Sequence, residues 1–184
     1  MPATGAPATR DAATSSGTPP GSDMPEVPIL AWTGIVEPGW IDFNDHMSSG
    51  EYARLFHPNT GALFRRIGIC PEYIRTRRLT VFQREFRLSY ERELRLGEPI
   101  EIRSFLVAHD AKRIHHAHEL WHREKGFRAA FVEYMSLHVD METRRLAPFP
   151  EDVMERLDAL ALSFAAVAPP AGVGQAIGIR ARRQ

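Results

Sequence analysis

The sequence predicts an α+β fold in which one antiparallel β-sheet wraps around a single long α-helix. Two patterns carry this expectation. Tyr52, Leu55, Phe56, Leu63, Phe64 and Ile67 recur at helical spacing and make one apolar stripe that must be buried. The second half of the chain instead alternates apolar and polar residues over consecutive short stretches separated by turn residues. One apolar helix and one half-apolar sheet satisfy each other in two layers.

Taken in order, Ile29 to Glu37 is a short apolar run with β-branched residues, closed by Pro38-Gly39, and reads as a first strand. Ser48-Ser49-Gly50 then offers a helix start with hydroxyls for capping. Gly68 ends the helix, and Pro58 should kink it, because proline removes one backbone donor and crowds the preceding turn. Leu79–Arg92 places Phe82, Phe86, Leu88 and Tyr90 on one side of a strand. Gly97-Glu98-Pro99 is a turn, Ile100–Val107 a strand, and Asp110-Ala111 the next turn. Lys112–Glu124 is ambiguous by periodicity alone, whereas Phe127–Val139 alternates again. Pro148 and Pro150 precede a short amphipathic helix carrying Val153, Met154, Leu157, Leu160 and Leu162.

The folded unit should cover residues 28–163 of the 184. Residues 1–27, rich in Ala, Thr, Ser, Pro and Gly, bury too little to offset chain entropy and are expected to be disordered. Residues 164–184 are expected to form a flexible basic tail ending in Arg180-Ala181-Arg182-Arg183. Lys plus Arg and Asp plus Glu both number 23, so no excess charge draws the molecule to nucleic acid or anionic lipid. Neither a secretory apolar stretch nor a bilayer-spanning run occurs, and Cys70 has no partner for an internal disulfide. A cytoplasmic location follows as the simplest expectation.

Chemistry concentrates in Asp42, Asn44 and His46, between the first strand and the helix start. A carboxylate there can activate a water or attack a carbonyl directly. The first N–H groups of the helix, around Ser49, Gly50 and Glu51, lack helical partners and lie at the positive end of its dipole, where they suit an oxyanion. Tyr52 follows as a substrate-contacting residue. Asn44 can hold a carbonyl or the water, and His46 can shuttle a proton to a leaving group. The plainer alternative is that Asp42 and Asn44 are turn residues bonded to their own backbone.

A second motif competes: His118-Glu119-Leu120-Trp121-His122 matches the H-E-x-x-H of zinc peptidases. That chemistry requires a helix. On a strand the two histidines stand ~13 Å apart and cannot both ligate one zinc. The neighbouring turns favour a strand, so no metal is expected.

The stretch Trp40-Ile41-Asp42-Phe43-Asn44-Asp45-His46-Met47-Ser48-Ser49-Gly50-Glu51-Tyr52 resembles the D-x-N-x-H-[MV]-N-N-x-x-Y signature of 4-hydroxybenzoyl-CoA-type thioesterases. Asp110–His115, His138-Val139-Asp140, Arg144, Pro148 and Pro150 continue the resemblance, which is nearest to the betainyl-CoA thioesterases of carnitine breakdown. The resemblance implies a single hotdog domain, an acyl-CoA substrate hydrolysed with Asp42 as general base or nucleophile, and no cofactor beyond the coenzyme A of the substrate. It also implies a homodimer or dimer of dimers with the site at the subunit interface. Lys112 and Arg113, or Arg75, Arg77 and Arg78, would then hold the coenzyme A phosphates. A cationic acyl group would want aromatic faces, for which Trp40, Tyr52, Phe56, Phe82, Trp121 and Tyr134 are candidates, although ordinary core is the commoner role of such residues. Three departures stand out: Ser48-Ser49 replaces paired Asn, Asp45 replaces Gly, and Pro58 interrupts the helix. The rivals are a non-catalytic acyl-CoA-binding hotdog protein and an enoyl-CoA hydratase. Hydratases carry D-x-N-P-[IL]-H, a proline and a spacing that Asp42 and His46 do not provide.

Overall fold

A computed structural model describes residues 26–178; the expected disordered start before residue 26 and the basic end after residue 178 lie outside it. The elements run β1 (Ile29–Ile35), a short 3-10 turn (Pro38–Trp40), α1 (Ser49–Arg66), α2 (Pro71–Arg77), β2 (Leu79–Tyr90), β3 (Pro99–His109), β4 (Arg113–His122), β5 (Phe127–Asp140) and α3 (Glu151–Phe164). The five strands form one antiparallel sheet in the order β1-β3-β4-β5-β2. The expected α+β arrangement, a sheet wrapped around one long helix, is present, and the ambiguous Lys112–Glu124 stretch is its central strand.

Strand alternation sends one face of each strand to the helix. Ile100, Ile102 and Leu106 of β3, Ile114 and Leu120 of β4, and Val132 of β5 are nearly inaccessible. They meet the α1 stripe in two clusters: Tyr52 and Phe56 with Ile100, Ile102, Leu120 and Val132, then Leu63 and Ile67 with Leu106 and Ile114. Helix α3 caps the second cluster with Val153, Leu157, Leu160 and Phe164.

The helix is continuous through Pro58. Proline leaves one carbonyl without its helical donor, and the next residues add local bonds, Asn59 Nδ2 to the Leu55 carbonyl (2.7 Å) and Thr60 Oγ to the His57 carbonyl (2.8 Å). Helix α2 was not expected. Seven residues are too few to show a period, and its one clear signal is Pro71 in the first turn. Arg78, in the left-handed region at φ 55°, ends it.

The expected boundary at residue 163 leaves out a segment with defined contacts. Beyond α3 the chain reaches the outer face of the sheet, where Arg128 donates to the Ala171 carbonyl (3.0 Å) and Arg87 to the Gly172 carbonyl. The Gly174 N–H donates to Glu133 (2.9 Å). Gly172 is required here: its φ is 100°, and a Cβ would approach the Phe131 ring to 2.8 Å.

The inner face is not wholly apolar. Ser104 Oγ bonds His118 Nδ1 (2.7 Å), His118 Nε2 bonds His116 Nδ1 (2.9 Å), and His116 Nε2 bonds Ser136 Oγ (2.8 Å). All four residues are fully buried. A chain of this kind is satisfied when every proton points the same way along it, which requires both imidazoles neutral. Burial pushes His118 down to about 3, and burial together with its two histidine neighbours pushes His116 well below its ordinary value. The unfolded chain therefore takes up protons that the folded chain refuses below about pH 6.5. Stability present above that pH should fall on acidification from pH 6.5 to 5, by up to about 1.4 kcal/mol per pH unit for each histidine. Urea unfolding at pH 7.5, 6 and 5 checks this: a flat profile contradicts it, and His118→Gln should reduce the slope.

Candidate active site

The segment between the 3-10 turn and α1 folds back on itself as a small closed loop. Ile41 and Met47 pair as an isolated antiparallel bridge, and the Asp42 N–H donates to the His46 carbonyl (3.1 Å). Inside the loop the Asp45 N–H reaches the Asp42 carbonyl (3.1 Å), and the Asn44 N–H donates to Asp42 Oδ1 (2.8 Å). Asp42 is therefore also a turn residue, as the plainer reading holds. That bond engages one carboxylate oxygen; the other has no partner among the described residues, and the side chain is half-buried.

Asp45, where the family signature has Gly, sits at φ 59°. Aspartate is among the few non-glycine residues that enter the left-handed region at modest cost, so this turn is accessible to it. The loop is moored to the body by Met47 N–H to the Leu94 carbonyl (2.7 Å) and Ser48 N–H to the Trp40 carbonyl (2.8 Å). Met47 itself is buried in the core beside Tyr52, Phe56 and Leu94. His46 Nδ1 lies 3.1 Å from the Met47 carbonyl.

The helix start differs from expectation in one respect: Ser48 occupies the cap position, but its hydroxyl makes no capping bond. Its carbonyl instead accepts the Glu51 N–H (3.0 Å). Glu51 is thus removed from the set of oxyanion donors. The N–H groups of Ser49 and Gly50 have no acceptor among the described residues and remain suited to that task. The Glu51 side chain is held by Arg54 (2.5 Å).

A cavity of about 270 Å³ opens against this loop, lined by His46, Met47, Ser49 and Tyr52 on one side and Tyr90, Glu91, Arg92 and Glu93 on the other. The Tyr52 and Tyr90 rings meet edge-on, 5.2 Å between centroids at 84°. Tyr90 donates its hydroxyl to the Ser49 carbonyl (3.1 Å), joining the end of β2 to the first turn of α1. Burial, with smaller contributions from Tyr90 and Glu93, pushes the Tyr52 phenol up to about 12, so Tyr52 is a neutral hydroxyl and not a base.

The structure does not gather every anticipated residue. Lys112 and Arg113 lie at the β3–β4 turn, at the end of β4 opposite His122, about 30 Å along the strand. The Asp42 loop sits at the His122 end, where β3 begins, so these cations do not share a site with Asp42 within one chain. Arg113 pairs with Asp110 (2.6 Å). Arg75 and Arg77 are engaged with Glu72 and Asp152. Of the six aromatic candidates only Tyr52 lines the cavity. Phe56 and Tyr134 are core, Trp40 is buried under Arg54, Phe82 lies in a separate groove with His57 and Thr60, and Trp121 faces outward beneath Arg103. Tyr90, Glu91, Arg92 and Glu93 carried no signal beyond the last step of a strand alternation and a charged turn.

The H-E-x-x-H segment lies on β4. Alternation places His118 and His122 on the buried face and Glu119 on the other, where it accepts from Arg128 (2.6 Å) and from the Trp121 indole (2.8 Å). Glutamate and histidines on opposite sides of a sheet cannot serve one zinc ion, and the peptidase alternative fails on that geometry.

Comparison with known proteins places the chain in a family. Residues 36–157 match the thioesterase-like superfamily, and the chain belongs to it. A betainyl-CoA thioesterase of Pseudomonas aeruginosa is 34% identical over 154 residues, covering 84% of this chain and 92% of that protein. An L-carnitine dehydrogenase/betainyl-CoA thioesterase of Rhizobium meliloti is 30% identical over 143 residues, but the match spans only 29% of its length. Among solved structures, protein SAV2348 of Staphylococcus aureus in complex with CoA superposes with a TM-score of 0.77 at 25% identity, covering 85% of this chain and 99% of that one. A putative thioesterase of Pseudomonas putida KT2440 gives 0.71 at 27% identity, covering 85% and 100%. The hotdog arrangement expected from the sequence is the fold of this family.

The conformation of Asp45 yields a direct test. Asp45→Gly should keep the loop and change unfolding stability by less than about 0.5 kcal/mol, whereas Asp45→Val should cost about 1–2 kcal/mol and disturb the loop. Equal stability of the two variants in urea would remove the assigned strain.

Proposed function

We propose that the protein is an acyl-CoA thioesterase that hydrolyses a small acyl-CoA to the free acid and coenzyme A at the Asp42 loop. What supports this reading is a carboxylate oxygen on Asp42 with no partner among the described residues, on a loop that leads directly into the N-terminus of an 18-residue helix where the Ser49 and Gly50 N–H groups have no acceptor among the described residues. A thioester carbonyl is less resonance-stabilised than an ester or amide, so one carboxylate and two good donors suffice. The donors receive the oxyanion while Asp42 directs water to the carbonyl, or attacks it and is released from a mixed anhydride by water. His46 stands on the same loop to pass a proton to the departing thiolate.

Betainyl-CoA is the preferred substrate, supported by the 34% identity over most of both chains to the Pseudomonas aeruginosa enzyme. The coenzyme A is substrate and no separate cofactor takes part. The site is completed in a homodimer. Strand β2 is an edge of the sheet, 12 residues long, and it exposes Phe82, Phe86 and Tyr90. Phe43, at the tip of the catalytic loop, is 94% exposed. A long edge with bare backbone groups and apolar side chains is covered at little cost by a second copy. A binding protein without turnover is the remaining alternative, and no helix among the described residues is long and apolar enough to cross a membrane.

Free-thiol release from a panel of acyl-CoAs decides the matter. Hydrolysis with highest kcat/KM for betainyl-CoA is expected; saturable binding of acyl-CoA without thiol release from any member would establish the binding protein instead.

A further inference from the structure

The cavity beside the catalytic loop combines features that a neutral acyl chain would not need. We propose that Tyr52, Tyr90 and Glu93 form a pocket that selects an acyl group carrying a fixed positive charge, a deepening that rests on thioester hydrolysis at the Asp42 loop. The two tyrosine rings stand nearly perpendicular, 84° apart, and make a corner in the wall of the cavity. A quaternary ammonium has no N–H to donate, so it gains from ring faces and from carboxylates that need not approach along a hydrogen bond. Tyr52 is rigidly buried, and Tyr90 is half-exposed with its ring held by the bond to the Ser49 carbonyl.

The charges around this corner are unequal in availability. Glu91 is occupied, with both carboxylate oxygens on Arg128 at 3.0 and 2.5 Å. Glu93 meets Arg95 through one bond of 2.9 Å, and both side chains are more than half exposed, a surface pair of little strength. Arg92, the cation on the lining, lays its guanidinium over the Phe127 ring at 4.2 Å, where an aromatic partner holds it. Glu93 lines the cavity, and its charge adds to the upward push on the Tyr52 phenol that burial dominates. At about 270 Å³ the cavity falls just below the roughly 300–1,000 Å³ of drug-sized ligand sites, and suits a short acyl group.

The test compares betainyl-CoA with 3,3-dimethylbutyryl-CoA, in which carbon replaces the charged nitrogen at nearly constant shape. The readout is the ratio of their kcat/KM values. Wild type should favour the cation, and Tyr90→Leu should lower the ratio by about tenfold, the scale of a partly desolvated cation–ring contact. Glu93→Gln should lower it by a smaller factor that shrinks further in added salt, because an exposed charge is screened. Tyr90→Phe, which keeps the ring and loses the tie to Ser49, should retain most of the preference. A ratio that none of these variants moves, or a wild type that prefers the neutral isostere, overturns the selectivity pocket while leaving the thioesterase intact. Absence of thiol release from both substrates overturns the hydrolysis itself and the pocket with it.

Discussion

Burial of the α1 stripe against the inner face of the sheet is the constraint from which the rest of the structure follows. Phe56 is fully buried among residues of β3, β4 and β5, and Leu63 and Ile67 among residues of β1, β3, β4, α2 and α3. Once the helix is seated, the position of its first turn is fixed, and with it the loop that precedes it. Met47 and Tyr52 bracket that first turn and both belong to the core, so the Asp42 loop is anchored at its base by packing and by the backbone bonds of Met47 and Ser48. If this loop presents a carboxylate and two N–H groups to one carbonyl, as proposed, it gains from such a foundation, because misplacement by an ångström costs heavily in rate.

The same inner face accepts a polar line, Ser104–His118–His116–Ser136, at the cost of holding two imidazoles neutral. Tyr134 stacks on His116 at 5.1 Å and Phe64 of α1 meets its edge at 5.3 Å, so the line is sealed by aromatic rings. His138 makes a separate arrangement further along β5: its Nδ1–H donates to the Ala147 carbonyl (2.9 Å), and Nε2 therefore accepts from the Tyr73 hydroxyl (2.8 Å). A slip of one residue in β4 would carry these groups to the other face and leave their partners unsatisfied, so the line reinforces the register.

Much of the fold is legible in the sequence because its dominant elements are long and periodic. The stripe of α1 and the alternation of β2 and β5 announce themselves, and the β4 ambiguity resolves once a strand must stand between β3 and β5. Helix α2 is too short to display a period. The segment around Gly172 escapes because its contacts are backbone groups meeting Arg87, Arg128 and Glu133, whose attachment no local pattern records. In the site, the Asp42, Asn44 and His46 cluster is visible through its resemblance to a family signature and not through its composition, since the turn bond that also explains Asp42 is real. The opposite wall, Tyr90 to Glu93, comes from chain forty residues away, and Lys112 and Arg113 are carried to the far end of the sheet. Sequence order alone contains neither distance.

Asp45 and Ser48-Ser49 stand where this chain departs from the signature it resembles, and both positions have a defined local structure. Asp45 adopts a left-handed conformation, and the helix start is closed by backbone bonds without a side-chain cap. The proposed chemistry rests on the carboxylate of Asp42 and the N–H groups that follow. The measurement that bears on this most directly is thiol release by Asp42→Asn beside wild type, with folding of both verified by thermal unfolding. The nearly isosteric amide should preserve the turn bond to Asn44 and the fold, and lower kcat by at least about a hundredfold, the scale of a positioned general base or nucleophile. A folded Asp42→Asn variant that releases thiol at the wild-type rate would contradict the account.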